Sequence, residues 1–598
     1  MPDFAHTFKI AVVLDTFSFE LFAPEAELMP LLPEKWERQV TAFRPEMLLV
    51  ESAWEGCGGA WSRQIHTPSE ALKRLVGYCR EQGIPTVFWN KEDPFHFEDF
   101  IEAAALFEYV FTTDLECIPR YRERLRHENV HLLPFAIQPR RHNPIEKYER
   151  RNAFVFAGSY YPRFTERNRT FAEFVEMLDG MGDVDIYDRH YGDEETPLRF
   201  PDRFRPYIRG RLDYDEIDRA HKGYRYALNL NSVTTSPTMF SRRVLELMAS
   251  NTVVLSNYSV AIDMLLGNLV VAAENAAELK RALERLRDDP RHEATRRLAA
   301  LRKVMSEYTA AQRMDDLYAV VFGSRPFSRP AGVLCLAEVR DEGELCRVEA
   351  GFARQRYAHR SLAVAAPPAL REKYAGKKEA VRFVEAAEMI GSTELPEAEY
   401  IAVFSPEDYY GEHYLTDLML ATLYSGTGAV TKSGPYRLDS HGGAVLSEEK
   451  AAYRMAASAR ARESIVSRKA LHGWSVQDCV SDGGERAWPV RTVLAVDAFH
   501  YCRDGAKSPE RAASVVADES EIDGGAVLNE AWIRTAGRIV RHRREAERER
   551  REKCSALLRA AKRLVETPVR RSVVSKYRAY RKLVEVYDAV RSALRNAE

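Results

Sequence analysis

With 598 residues, of which 45% are hydrophobic, the chain is long enough for about three to four domains, each with its own core. A formal net charge of −2 excludes a whole-protein field directed at nucleic acid, and eight cysteines without a C-x-x-C pair or zinc-like spacing to histidine read as small hydrophobes of a reduced compartment. Residues Met1 to His6 lack a basic region followed by an apolar core, and no run approaches the roughly twenty apolar residues of a membrane span, so a cytoplasmic protein is expected.

Residues 1–145 alternate apolar strands (Phe8 to Leu14, Met47 to Glu51, Thr86 to Trp89, Tyr109 to Thr112, Val130 to Leu133) with helical stretches such as Pro68 to Glu81. That alternation predicts a mostly parallel sheet covered on both faces, with ligands beyond the carboxyl ends of the strands. Polar residues fall there: Asp15, Thr16 and Ser18, then Glu51, Trp54 and Glu55, then Asn90 to His96. Glu92, Asp93 and His96 are candidate bases for deprotonating a hydroxyl, with Glu55 in a Gly-rich loop as the rival. The competing reading is a turn closed by Asp93-Pro94, with His96 packed beneath it.

Residues 146–328 predict a second sheet of the same kind. The apolar strand Ala153 to Ala157 breaks at Gly158 into Ser159, Tyr160 and Tyr161, followed by Arg163 and Arg167. A strand ending in glycine before a helix lets backbone approach a phosphate closely, since no Cβ stands in the way and the helix start attracts anions. A buried strand, Leu228 to Ser232, a polar loop, an amphipathic helix and a second strand, Thr252 to Ser256, follow. Arg242 and Arg243 offer planar donor forks to a diphosphate, and Glu246 one turn on suits two ribose hydroxyls; otherwise it is a helix carboxylate paired with an arginine one turn away. The run Ala276 to Tyr308 reads as a closing helical segment.

Trp89 to Pro94, Phe111 to Asp114, Leu133 to Phe135, Phe156 to Tyr160 and Ser236 to Arg243 together resemble the CgeB-like family of spore-surface and cell-surface glycosyltransferases, within the wider GT-B class of two Rossmann-like domains facing a cleft. The resemblance covers about the first half of the chain. It implies that Gly158, Arg243 and Glu246 line a donor site for a nucleotide sugar, a UDP-sugar first among them, with no metal required. It also implies that the segment around Gly210, Tyr207 to Glu216, packs against the nucleobase. Thr238 stands where many retaining members of the class carry a second glutamate, which leaves stereochemistry open.

Residues 329–530 restart with the strand Gly332 to Ala337, a helical stretch through Phe352 to Tyr357, and strands Ser361 to Ala366 and Tyr400 to Phe404. This order resembles a smaller GT-A-like domain whose D-x-D metal motif has decayed to Pro406-Glu407-Asp408. If the domain is active, Mn²⁺ or Mg²⁺ at Glu407 and Asp408 is expected, with Asp497 and His500 joining the site. Adjacent residues on an extended chain point to opposite sides, however, which favours a non-catalytic role.

The tail, residues 531–598, is basic and helical in pattern, with Val573, Tyr577, Tyr580, Leu583, Val584 and Tyr587 recurring at spacings of three and four. Peripheral contact with the inner membrane face, self-association and packing on the body all fit.

The fold class expected is α/β: two Rossmann-like GT-B domains, a smaller GT-A-like α/β domain and a helical tail. The function expected is transfer of a sugar from a nucleotide-diphosphate sugar to a cell-surface or spore-surface glycan, a teichoic-acid-like polymer or a lipid-linked or glycoprotein precursor. The alternative is an inactive sugar-binding or nucleotide-binding scaffold subunit. No nucleic-acid partner is expected, since the basic residues lack a reader motif.

Overall fold

The computed structural model describes residues 8–536 except 194, 375, 379, 439–443, 447–450, 517, 518, 520 and 530; for 444–446 it describes backbone only. The chain splits into two compact units, Met1–Val527 and Leu528–Glu598. In the second, residues 531–536 are helical, and most of the basic tail lies outside the described residues.

The first sheet contains β1 (Lys9–Val13), β2 (Glu27–Pro30), β3 (Met47–Glu51), β4 (Thr86–Asn90), β5 (Tyr109–Thr112) and β6 (Val130–Leu132) in the order β2-β1-β3-β4-β5-β6. Every pairing is parallel. β3 and β4 are buried at every residue, as continuous apolar strands covered on both faces must be. Edge strand β2, ending in Pro30, has no apolar run to announce it.

The second sheet repeats the plan with β7 (Arg151–Gly158), β8 (Val184–Asp188), β9 (Ile208–Gly210), β10 (Tyr224–Asn229), β11 (Val253–Asn257) and β12 (Val271–Ala273), in the order β12-β11-β10-β7-β8-β9 and again all parallel. The expected single helical run after it is two helices, Ala276–Asp288 and Pro290–Glu307. Asp289 accepts from the Arg291 and His292 N–H groups, and Pro290 takes the first position of the new helix, where its missing N–H costs nothing.

The third region carries an eight-stranded mixed sheet. Its strands are β13 (Val333–Glu338), β14 (Arg360–Ala365), β15 (Arg382–Val384) and β16 (Tyr400–Val403), with β18 (Ala429–Lys432), β21 (Arg454–Ala456), β22 (Ser464–Ser467) and β23 (Val493–Val496). The order is β15-β14-β13-β16-β22-β18-β23-β21, and β22 runs antiparallel to both its neighbours. A four-stranded sheet of β17 (Tyr409–Tyr410), β24 (Tyr501–Arg503), β19 (Tyr436–Leu438) and β20 (Ala444–Leu446) lies beside it in sequence. Among the described residues no helix is long and apolar enough to cross a membrane.

The second and third regions meet through a buried charge network. Arg302, from helix Pro290–Glu307, grips Asp417 of helix Tyr414–Ser425 with two bonds of 2.8 and 3.1 Å. It also donates to Glu519 at 3.1 Å and lies 3.2 Å from His500 Nε2. Burial pushes Asp417 up, but Arg302 and then Lys432 overcome it and hold the carboxyl well below its usual range. Removing one member of such a network strands the other charges without water. Arg302→Ala is therefore expected to cost about 3–5 kcal/mol in chemical denaturation, whereas Arg302→Met combined with Asp417→Leu costs less than the sum of the two single changes.

Candidate functional site

The carboxyl end of β7 carries the most unusual electrostatics of the second sheet. Gly158 ends the strand, and a Cβ there would stand 2.9 Å from the Arg243 guanidinium and 3.1 Å from the Phe156 ring. Only glycine lets Arg243 lie against this turn. Arg243 comes from helix Arg242–Ala249 and sits 5.4 Å from the Phe156 ring centroid. Burial, and next the neighbouring Arg189 charge, pull its pKa down to about 10. Arg167, also pulled down by burial, adds a third positive charge. Among the described residues none of Arg167, Arg189 and Arg243 forms a direct ion pair; the Glu246 carboxylate offsets the Arg243 charge only in part, and like charges gathered with so little compensation are held at a cost.

Two further features face the same way. The Ser159 hydroxyl is buried and has no hydrogen-bond partner in the structure. Helices Thr165–Asp179 and Arg242–Ala249 both start without a side-chain cap. The second start is set by Asn231, whose Oδ1 accepts from the Ser241 N–H at 2.8 Å and whose own N–H donates to Asn257 Oδ1. Uncapped N–H groups, a spare hydroxyl and three guanidinium groups without a direct carboxylate bond are gathered at these strand carboxyl ends, a set of donors chemically suited to an anion. Tyr160 turns away from it, packing its ring against Phe200 and Phe204.

Glu246, on the same helix, is buried and already engaged. Arg242 Nε lies 2.9 Å away, one turn back, and His142 Nε2 at 3.6 Å. The pairing with an arginine at one-turn spacing is thus present, but in the interior rather than on the helix surface. Burial pushes Glu246 up; Arg242 first, then His142, His221 and Arg243, bring it down to about 2. His142 Nδ1 accepts from the Gln138 N–H at 3.2 Å, which leaves the proton on Nε2, facing Glu246. Burial holds His142 down at about 3 and His221 at about 4.

The first sheet approaches this cluster at several points. The Arg242 guanidinium packs 3.9 Å from the Phe17 ring centroid, and Lys91 Nζ lies 4.1 Å from the same centroid. Lys91 is buried and bonded to Asp15 at 2.6 Å and Glu51 at 3.0 Å. Thr238 is spent on the contact, accepting from the Leu115 N–H and donating to the Thr113 carbonyl, each at 2.9 Å. Arg163 packs on the Phe95 ring at 4.6 Å and reaches to 3.4 Å from His96 Nε2.

Of the four candidate bases, the structure brings only His96 to this contact. Its Nδ1 lies 2.5 Å from Asp99 Oδ2, so Nδ1 carries the proton and the Nε2 lone pair faces the Arg163 guanidinium, which donates toward it at 3.4 Å. Trp54 and Phe95, 40% and 50% exposed, flank the ring at 4.9 and 5.1 Å between centroids. Asp93 is a correction: it is completely buried, accepting from Thr112 Oγ1 and Asn90 Nδ2, with Tyr121 also beside it. Burial pushes its carboxyl up to about 7, and the residue secures the loop instead of facing a ligand. Glu92 is half-buried, its N–H bonded to Asn90 Oδ1, and Glu55 is exposed. Gly210 ends β9 with φ of +111°, and beyond it Asp213 forms a capping box with Glu216, the local role that serves as the simpler account of that segment.

The carboxylates of the third region do not fit a divalent ion. Both Asp408 oxygens are taken by Arg462, one of them at 2.7 Å, with Tyr501 Oη and the Asp504 N–H each adding a bond of 2.8 Å. Glu407, next in the chain, is exposed. Asp497 is bonded to Lys432 at 2.9 Å, and His500 lies between Arg302 and Glu519. Among the described residues no three His, Cys, Asp or Glu side chains gather to hold a metal.

Residues 151–319 match the family model described as "Glycosyl transferase-like". The chain carries a glycosyltransferase domain. This domain holds Gly158, Arg167, Arg189, Arg243 and Glu246. No curated protein sequence matches the chain. Among solved structures, Anabaena HepE in complex with UDP-glucose aligns at 9% identity over 53% of this chain and 100% of that one, with a TM-score of 0.38. The T4 phage BGT in complex with its UDP-glucose substrate aligns at 12% identity over 53% and 100%, TM-score 0.34. Sucrose-phosphate synthase from Thermosynechococcus elongatus aligns at 12% identity over 49% and 77%, TM-score 0.35.

The buried histidines of the glycosyltransferase domain and its flank give a pH prediction. A buried neutral histidine with a depressed pKa stabilises the fold fully above its ordinary 6.5 and loses that advantage as pH falls toward the folded value. For His221 the window runs from 6.5 down to about 4. His221→Met is expected to flatten the acid-induced loss of stability across that window by roughly 3 kcal/mol, read by denaturant melts at stepped pH. A slope identical to wild type contradicts the assignment.

Proposed function

We propose that the chain transfers a sugar from a nucleoside-diphosphate sugar, a UDP-sugar first, to a hydroxyl of a cell-surface or spore-surface glycan, teichoic-acid-like polymer or lipid-linked or glycoprotein precursor. The observation that carries this reading is the Arg167, Arg189 and Arg243 cluster at Gly158, without a direct carboxylate bond, with Arg163 reaching from that turn to His96. In this reading residues 1–145 take the acceptor and 146–328 the donor, in the manner of the CgeB-like resemblance. Residues 329–530 form a GT-A-like domain without chemistry of its own, its D-x-D remnant neutralised by Arg462. The work is done in the cytoplasm.

The roles follow from the geometry. Gly158, the Ser159 hydroxyl and the open helix starts receive the diphosphate, and Arg163, Arg167 and Arg243 neutralise it as it leaves. Arg242 releases Glu246 to accept the ribose hydroxyls, while the strand end at Gly210 borders the nucleobase. Once Arg163 turns from His96 to the diphosphate, His96 Nε2 takes the proton of the acceptor hydroxyl as its oxygen attacks the anomeric carbon and the bond to the diphosphate breaks. Asp99 fixes the tautomer that makes this possible. Trp54 and Phe95 offer apolar faces to an acceptor ring beside His96. Glu92 and Glu55 stand farther from this line. A base facing the donor from the opposite domain implies inversion at the anomeric centre.

The test is diphosphate release and product formation with a panel of nucleotide sugars and glycan acceptors. His96→Ala is expected to lower kcat by about 10²–10⁴ with nucleotide affinity unchanged. Asp99→Asn should lower kcat less and shift its pH profile. Full turnover by His96→Ala overturns the base, and nucleotide binding without any transfer by wild type favours a scaffold subunit.

A further inference from the structure

A cavity of about 610 Å³ opens beside helices Ala276–Asp288 and Pro290–Glu307, with Ser514 and Glu521 also lining it. It shares no residue with the Gly158 and Arg243 cluster. Its volume lies in the range of small-molecule sites, roughly 300–1,000 Å³, but its lining is polar and carries three arginines, Arg285, Arg291 and Arg296, with His292, Asn268 and Ser514.

The charges on this lining are not balanced where they stand. Arg291 is tied to main chain, donating to the carbonyls of Ser514 and Val515. Arg285 and Arg296 form no ion pair among the described residues, and Arg296 Nε is buried without any hydrogen-bond partner. Glu293, three residues before Arg296, is already bonded to Arg225 Nε and Tyr226 Oη, each at 2.8 Å. Two carboxylates do line the cavity. Asp289 is committed to capping the helix, its Oδ1 accepting from the Arg291 and His292 N–H groups at 3.1 and 2.9 Å. The lining thus sets two carboxylates, one of them engaged as a helix cap, against three guanidinium groups.

An unpaired guanidinium held partly out of water is stabilised by an anion presenting two oxygens in one plane, and phosphoryl oxygens match that fork. We propose that this cavity is a second anion site, which takes the phosphoryl group of a small phosphate ester or a free diphosphate. Arg285 and Arg296 supply the charge and Arg291 the edge of the site. Burial pulls Arg296 down to about 10, and the Glu293 charge nearby offsets this only in part. The site is independent of the donor reading, because neither its residues nor its ligand need the transfer reaction.

The experiment uses full-length protein and inorganic pyrophosphate. In an Arg243→Ala background, which disables the donor cluster, calorimetric titration is expected to retain one binding event. Adding Arg285→Gln and Arg296→Gln is expected to weaken that event about tenfold or more, with thermal melting used to verify that the variant is folded. Arg285→Gln with Arg296→Gln in the otherwise native chain should leave nucleotide binding at the donor cluster unchanged. Hydrogen exchange on the unmodified protein supplies a reading without substitutions: pyrophosphate should protect amides of 282–296 as well as those around Gly158. The proposal is overturned if Arg243→Ala abolishes pyrophosphate binding altogether, if the two glutamines leave the remaining event unchanged, or if protection is confined to the Gly158 region.

Discussion

The arrangement depends on one close approach, that of the Arg243 guanidinium to the Cα of Gly158. A methyl group at residue 158 would meet that guanidinium at 2.9 Å, so the turn and the arginine define each other. Once Arg243 is there, with Arg189 and Arg167 near it and Glu246 offsetting its charge only in part, the carboxyl edge of the second sheet holds an excess of positive charge. Parallel sheets put their ligand crevices at this edge for topological reasons. Here the chain has also loaded the edge with the charge that a diphosphate neutralises.

The acceptor side is coupled to that edge by cations on aromatic rings. Phe17 takes both Lys91 and Arg242 against its ring, and Phe95 takes Arg163, so the first sheet meets the second through contacts that combine charge with apolar area. Arg242 is shared between Phe17 and Glu246. In the proposed reading, a ribose that claims the Glu246 carboxylate acts on the contact between the two domains as well, which would tie donor entry to domain closure. Farther along, Arg302 carries charge pairing into the third region, where one guanidinium binds both Asp417 and Glu519.

Much of this was legible in the sequence. β3, β4, β7 and β10 are apolar runs too regular to misread, and Gly158 with Arg243 and Glu246 stood out by spacing and residue type. Other features were not accessible from one dimension. Asp93 and His96 lie three residues apart in the same loop and look equally suited to proton transfer; only the fold buries the first under Thr112 and Tyr121 and turns the second outward to Asp99 and Arg163. Arg189 follows a strand like any basic residue at a turn, and its value comes from Arg243, distant in sequence. Glu407 and Asp408 read as a metal remnant until Arg462, from a strand boundary more than fifty residues on, is seen to occupy the aspartate. The long helical run ending at Tyr308 hid a break because Asp289-Pro290 continues the amphipathic pattern while restarting the helix.

The account stands on the arginine cluster acting as a diphosphate site without help from metal. The most direct measurement is calorimetric titration of UDP in the presence of EDTA, on the wild type and on Arg243→Ala with Arg189→Ala. The account predicts saturable one-site binding to the wild type under chelation, weakened at least about tenfold by the double change. UDP binding that needs an added divalent ion, or that survives loss of both arginines, would contradict it.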